Sequence, residues 1–90
     1  MEIRLMENTH GYEIVNEGVQ LGKIVWEQHG NTMVMNGTVV DPSLRGLSMG
    51  QQLLDKAANH ARQQGFKMKA VCPYVVKMFE KSSDYDDVKL

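Results

Sequence analysis

Apolar and polar residues alternate with a period of two from the first residue to about Val40, and with a period near four after that. Met1 to Met6 alternate weakly around Ile3 and Leu5, and Tyr12 to Val15 and Val19 to Trp26 form two further short runs. Thr32 to Val40 is rich in β-branched residues and methionine, with Met33, Met35 and Gly37 alternating against Val34, Asn36 and Thr38. Between these runs stand turn residues: Glu7-Asn8-Thr9-His10-Gly11, Asn16-Glu17-Gly18 and His29-Gly30-Asn31. The pattern predicts an antiparallel meander in the front half of the chain.

The back half reads differently. Met49, Leu53, Ala57 and Ala61 recur every four residues with Leu54 and Ala58 beside them, while Gln51, Gln52, Asp55, Lys56, Asn59, Arg62 and Gln63 fill the other side. This predicts a helix from Ser48 to Gln64, with a capping box formed by Ser48 and Gln51 at its start and Gly65 closing its end. Phe66 to Cys72 follows as a short strand. Pro73 then suits the first position of a second helix reaching about Ser82, with Val75, Val76, Met78 and Phe79 toward the core. In a strand-helix-strand unit the segments Thr32 to Val40 and Phe66 to Cys72 can lie parallel through a right-handed crossover. The expected fold is α/β (α+β): a mixed, mostly antiparallel sheet with two main helices.

Composition narrows the function. With 90 residues, 42% of them hydrophobic, and no repeat or linker, residues 1–90 are expected to form one domain around one core. A formal net charge of −1 without a basic stripe leaves no electrostatic footprint for nucleic acid or an anionic membrane, so neither is expected as a partner. The apolar runs fall far short of the ~20 residues a spanning helix needs, and the opening MEIRLMENTH is charged where a signal peptide is apolar, so a cytoplasmic location is expected. A single cysteine, Cys72, and three histidines without ligand spacing predict no metal site.

Candidate chemistry gathers at Val40-Asp41-Pro42-Ser43-Leu44-Arg45-Gly46-Leu47-Ser48-Met49-Gly50, a strand end, a loop and a helix start. The first turn of a helix carries unpaired N–H groups and the positive end of the macrodipole, and small residues let an anion approach. Such a junction is either a phosphate site or only a tight connection. Cys72, just before a helix N-terminus, is either a small buried hydrophobe or a thiol activated as a nucleophile or proton carrier. Lys77 and Lys81 share one helical face, which is either solvated or within reach of a phosphate.

At these residues the chain resembles the small members of the GNAT superfamily of N-acetyltransferases. Their coenzyme A pyrophosphate loop reads Arg or Gln, x, x, Gly, x, Gly or Ala, and Arg45, Gly46, Leu47, Ser48, Met49 and Gly50 stand in that register. Val40 before the loop, Leu53-Leu54 on the helix, Cys72-Pro73-Tyr74 after the next strand and the terminal Ser83-Asp84-Tyr85-Asp86-Asp87-Val88 extend the likeness over about Asn36 to Val88. Two positions depart from it: Ser48 replaces the loop glycine, and Gly37 stands before Thr38 where close relatives often carry histidine. Ser48 either caps the helix and donates to a phosphate, or occupies the N–H groups the phosphate needs.

The resemblance implies acetyl-CoA as co-substrate, lying where the two parallel strands splay. Backbone groups near Val40 would pair with pantetheine, Arg45 to Gly50 would hold the pyrophosphate, and the thioester would point toward Thr38, Cys72 and Tyr74. Tyr74 is then either a half-buried core aromatic or the group that protonates the leaving thiolate. The implied reaction is acetyl transfer to a primary amine, either directly or by way of Cys72. A non-catalytic coenzyme A-binding or sensing protein is the alternative. The short Glu7 to Gly11 linker, where larger relatives place helices, implies an open acceptor side suited to a bulky acceptor such as a protein lysine or N-terminus.

Overall fold

The computed structural model describes residues 1–90. Five strands, β1 (Glu2–Leu5), β2 (Gly11–Asn16), β3 (Val19–His29), β4 (Thr32–Val40) and β5 (Lys67–Ala70), form one sheet in sequence order. The first four pair antiparallel, and β5 joins β4 in parallel after the crossover through α1 (Met49–Gln64). A second helix, α2 (Pro73–Lys81), follows, and short 3-10 turns cover Pro42–Leu44 and Ser83–Tyr85. A two-residue hairpin joins β2 to β3 through Glu17 and Gly18, both at positive φ (50° and 80°), a turn whose twist matches that of the strands.

Alternation along these strands separates two unlike faces. Ile14, Ile24, Trp26, Met33, Met35 and Met68 project to one side and are buried against Met49, Leu53, Leu54, Ala57, Ala58 and Ala61 of α1 and Val75, Met78 and Phe79 of α2 in a single cluster. The pairing register sends Glu13, Lys23, Val25, Glu27, Val34 and Lys69 to the opposite side, which contributes nothing to that cluster. Both helices therefore lie on one face. Trp26 is a core residue, 3% exposed, its ring 5.4 Å from that of His60 on α1.

Four expectations need correction. Val76, expected toward the core with Val75, Met78 and Phe79, is 37% exposed, because it falls on the outer side of α2. β3 runs on to His29 instead of stopping at Trp26, since its pairing with β4 continues to His29 opposite Thr32. β5 ends at Ala70 and not at Cys72, because the Val71 and Cys72 N–H groups both turn onto the Met35 carbonyl, at 3.1 and 2.8 Å, and no residue pair of the ladder follows. The capping box is absent: Ser48 sits at the N-cap of α1 in the left-handed region (φ 55°, ψ 33°) with no side-chain cap bond. An N-cap that caps through its side chain has extended backbone angles. Gly65 closes the helix at φ 74°, as its position implied.

The chain end folds back along β5. Met68 N–H donates to the Val88 carbonyl at 2.7 Å, and Leu90 N–H to the Met68 carbonyl at 2.9 Å. Arg62 at the end of α1 holds this segment, with Nε on Asp87 Oδ2 at 2.7 Å and Nη2 on the Asp84 carbonyl at 2.8 Å.

Candidate functional site

The site begins where β4 and β5 part. Pairing stops at Met35 opposite Ala70, and a bulge leaves Asn36 without a partner between Trp26–Met35 and Val25–Gly37. The bulge resets which way the backbone of β4 faces. Asp41 N–H bonds the Leu21 carbonyl of β3 at 2.8 Å, so by alternation Thr38 and Val40 turn their N–H and C=O groups away from β3 into the gap. An extended, amide-bearing arm fits such an edge as an added strand.

Beyond Val40 the chain turns through Pro42–Leu44, started by Asp41, whose side chain accepts from Ser43 N–H at 2.9 Å. Gly46 (φ 88°) and Ser48 (φ 55°) then bend the loop into α1. The first helical bond is that of Gln52 N–H to the Ser48 carbonyl at 3.1 Å, so the N–H groups of Met49, Gly50 and Gln51 precede it and are open to an anion. Ser48 makes no cap bond through its hydroxyl, which neither caps the helix nor consumes these N–H groups. Its backbone angles also explain why the loop motif has glycine there. Ser48→Gly is expected to raise stability by about 0.5–1 kcal/mol, the left-handed penalty partly offset by glycine's chain entropy. Thermal melts of the two proteins check this, and a lower melting temperature for the glycine variant counts against it.

A cavity of about 380 Å³ is lined by Thr38, Val40, Leu44, Arg45, Gly46, Ser48, Met49, Gly50 and Tyr74. It brings together the strand edge, the loop and the start of α2. Two candidate site residues, Leu47 and Cys72, do not line it: Leu47 is 52% exposed and lines a different hollow with Met1, Ile3 and Lys56, and Cys72 lies beside Thr38. Leu44 was not foreseen. It is 8% exposed, and its signal was that of the lone apolar residue between Val40 and Gly46.

Cys72 caps α2 and is 8% exposed, its Sγ 3.6 Å from Thr38 Oγ1. Burial pushes the thiol up. The nearby Thr38 hydroxyl and the N–H groups of Val75, Tyr74 and Thr38 favour the thiolate and outweigh this, so Cys72 titrates below an ordinary cysteine. Tyr74 lies across α1, its Cζ and Oη so near Gly50 that a methyl group there would stand 3.1 Å from both. Burial, and then the Asp55 carboxylate, push its phenol up from 10.0. Asp55 also accepts from Tyr85 Oη at 2.6 Å, a link across α1 that spacing alone did not reveal.

Two clusters lie apart from this cavity. Lys77 and Lys81 are exposed on α2 and not among its lining residues. The acidic residues near the chain end are engaged locally: Asp87 with Arg62 and Asp86 with Lys89 at 2.9 Å. Arg62 is thirteen residues beyond Met49 along α1, about 20 Å at 1.5 Å per residue.

Residues 11–88 match the model of the GCN5-related N-acetyl-transferase family. The NMR solution structure of a GCN5-like protein from Staphylococcus aureus superposes with a TM-score of 0.80 at 32% identity, covering 99% of this chain and 87% of that one. The N-acetylglutamate synthase of Neisseria gonorrhoeae, complexed with coenzyme A and N-acetyl-glutamate, aligns with a TM-score of 0.67 at 18% identity, over 88% of this chain and 21% of its own. The ribosomal-protein-S18-alanine N-acetyltransferase of Escherichia coli aligns at 0.63 and 13% identity, over 78% and 48%. The chain thus spans less than half the length of these last two, which share its fold. No curated protein sequence matches significantly.

Proposed function

The chain belongs to the GCN5-related N-acetyltransferase family, and from that premise we propose that it binds acetyl-CoA and transfers the acetyl group to a primary amine. The observation that carries the reading is the cavity at the β4 gap, where a free strand edge, an anion-binding helix start and a tyrosine hydroxyl converge. The Thr38 and Val40 backbone groups would pair with the pantetheine amides. Arg45, Gly46 and the N–H groups from Ser48 to Gly50 would hold the pyrophosphate.

In the direct route the neutral amine nitrogen bonds to the thioester carbon and the carbon–sulfur bond breaks. The amine proton passes to water, the Tyr74 hydroxyl protonates the coenzyme A thiolate, and backbone N–H groups steady the developing oxyanion. A second route has the Cys72 thiolate bond to the thioester carbon and expel coenzyme A as thiolate, then pass the acetyl group to the amine; Cys72 lies beside Thr38 at 3.6 Å, 8% exposed and outside the cavity lining. Gly37 offers no side chain for proton transfer, and a coenzyme A-binding role without turnover is the reading left if catalysis fails.

Titration with acetyl-CoA and coenzyme A, followed by backbone amide shifts, tests the site. Shifts concentrated on residues 38–50 and 72–74, and weakened about tenfold in Arg45→Ala by loss of a charge-assisted phosphate contact, are expected. Their absence overturns the reading. Binding without turnover on a broad panel of amines and peptides leaves the coenzyme-binding role instead. Mass measurement after incubation with acetyl-CoA separates the two routes: acetyl trapped on Cys72, lost together with activity in Cys72→Ala, marks the second, and near-normal rates in that variant exclude it.

A further inference from the structure

We infer that two copies of this chain pair through the open edge of the sheet, β1 against β1 in antiparallel register, so that one sheet runs through both. The inference goes beyond the acetyltransferase reading and holds whatever the cavity binds. β1 is the outermost strand, and α1 packs over β2, β3, β4 and β5. The backbone groups that this edge offers follow from the turn beside it. Met6 N–H donates to the Gly11 carbonyl at 2.8 Å, so by alternation Glu2 and Arg4 turn their N–H and C=O groups toward β2, and Ile3 and Leu5 turn theirs outward. No further strand of the chain meets that outer row.

Charge selects the partner. On the bare side of the sheet β1 carries Glu2 and Arg4, two residues apart, opposite in sign and both exposed. Arg4 engages Glu13 through Nε at 3.1 Å and Glu2 through Nη1 at 3.6 Å, which leaves its Nη2 without a partner. Two antiparallel copies centred on Ile3 set Glu2 of each opposite Arg4 of the other, giving a cross-strand ion pair on either side of the centre. Moving the centre to Glu2 or to Arg4 sets like charges opposite each other. Moving it to Leu5 runs into the turn at Met6, whose carbonyl already accepts from Thr9 N–H at 2.9 Å. Charges that keep foreign strands off an edge thus admit this strand's own copy in one register.

The helix side of β1 supplies the apolar part of the contact. Ile3 packs against the core there, and by alternation Met1 and Leu5, 63% and 40% exposed, share its side. In the register centred on Ile3 the two Ile3 side chains meet, and Leu5 of each copy meets Met1 of the other. Above them a hollow of about 460 Å³ opens between β1 and the start of α1, lined by Met1, Ile3, the exposed Leu47 and Met49. Leu5 of the second copy arrives at the rim of this hollow beside Met1, where it covers apolar surface that a single chain leaves to water. Each copy uses the same edge, so the contact closes about a two-fold axis and stops at two chains.

The test is sedimentation equilibrium of the full chain, without coenzyme, from about 10 μM to about 1 mM, a range set by the weakness of an edge contact this short, whose Kd is expected to be of order 100 μM. The mass should rise from one chain toward two. Over the same range the Ile3 and Leu5 amide protons should exchange more slowly, while those of Glu2 and Arg4, already turned to β2, stay unchanged. Arg4→Glu and Glu2→Arg each set like charges opposite one another at both positions and should weaken pairing by about tenfold. An equimolar mixture of the two variants restores opposite charges and should pair as the parent does. Amide spectra of the separate variants verify that each is folded. A parent that remains a single chain at the top of the range overturns the inference, and leaves the edge to a strand of some other protein. So does pairing that both variants preserve, that the mixture fails to recover, or that protects amides elsewhere than on β1.

Discussion

Tyr74→Phe is expected to lower the turnover number by about two orders of magnitude while leaving the affinity for coenzyme A within about twofold. The phenyl ring remains, so the packing against Gly50 that shapes the cavity is preserved, and only the hydroxyl is lost. The Tyr74 hydroxyl is free to donate into the cavity, in contrast to that of Tyr85, which is committed to Asp55. Burial and the neighbouring Asp55 carboxylate both favour the neutral phenol, whose pKa is raised above 10.0. The proton is therefore present throughout neutral pH and is lost only above the ordinary tyrosine range. The rate in the parent protein should rise toward pH 9 as the acceptor amine loses its proton, with no descending limb from Tyr74. Single-turnover kinetics on both proteins decide the matter: a phenylalanine variant within threefold of the parent makes Tyr74 a packing residue.

Leu54→Ala is expected to cost about 2–5 kcal/mol, the range for emptying a buried leucine site. Leu54 is fully buried, and α1 offers little to refill the space, because Ala57, Ala58 and Ala61 next along its buried face are already small. For a chain of this length total stability is of order 5–13 kcal/mol, so this one change removes a large share of it. At about 2.1 cal/mol/K per residue of unfolding entropy, the melting temperature falls by roughly 10–25 °C. The exposed neighbour Lys56→Ala should stay within about 0.5 kcal/mol. Denaturant unfolding of the three proteins checks both values, and a cost below 1 kcal/mol for Leu54→Ala would show that the helices repack around the gap.

What could be read in advance was what depends on periodicity. Met49, Leu53, Ala57 and Ala61 announced α1 because a helix facing one sheet must repeat its apolar residues, and Gly65 marked its end because a left-handed closing residue favours glycine. Ser48 misled for a related reason. Its type and its distance from Gln51 suit a capping box, but the loop needs a positive φ at that point, and the backbone demand prevails over the side-chain preference. The end of β5 was invisible because it depends on Met35, more than thirty residues earlier, accepting two N–H groups on one carbonyl. The loop residues Arg45, Gly46 and Gly50 were legible as a motif, whereas the link of Asp55 to Tyr85 and of Glu27 to Asn36 exists only once helix and strands are assembled.

The folded-back chain end has a further consequence. A sheet whose last strand is four residues long would otherwise present its outer row of N–H and C=O groups to any passing strand. Val88 and Leu90 occupy the row at Met68, and Arg62 fixes them through Asp84 and Asp87. The terminal residues thus serve as a guard against intermolecular strand pairing. Cutting the chain after Tyr85 would spare the residues that line the β4 cavity and yet yield a protein that associates on concentration, its solubility governed by a few residues at the opposite end of α1 from the site.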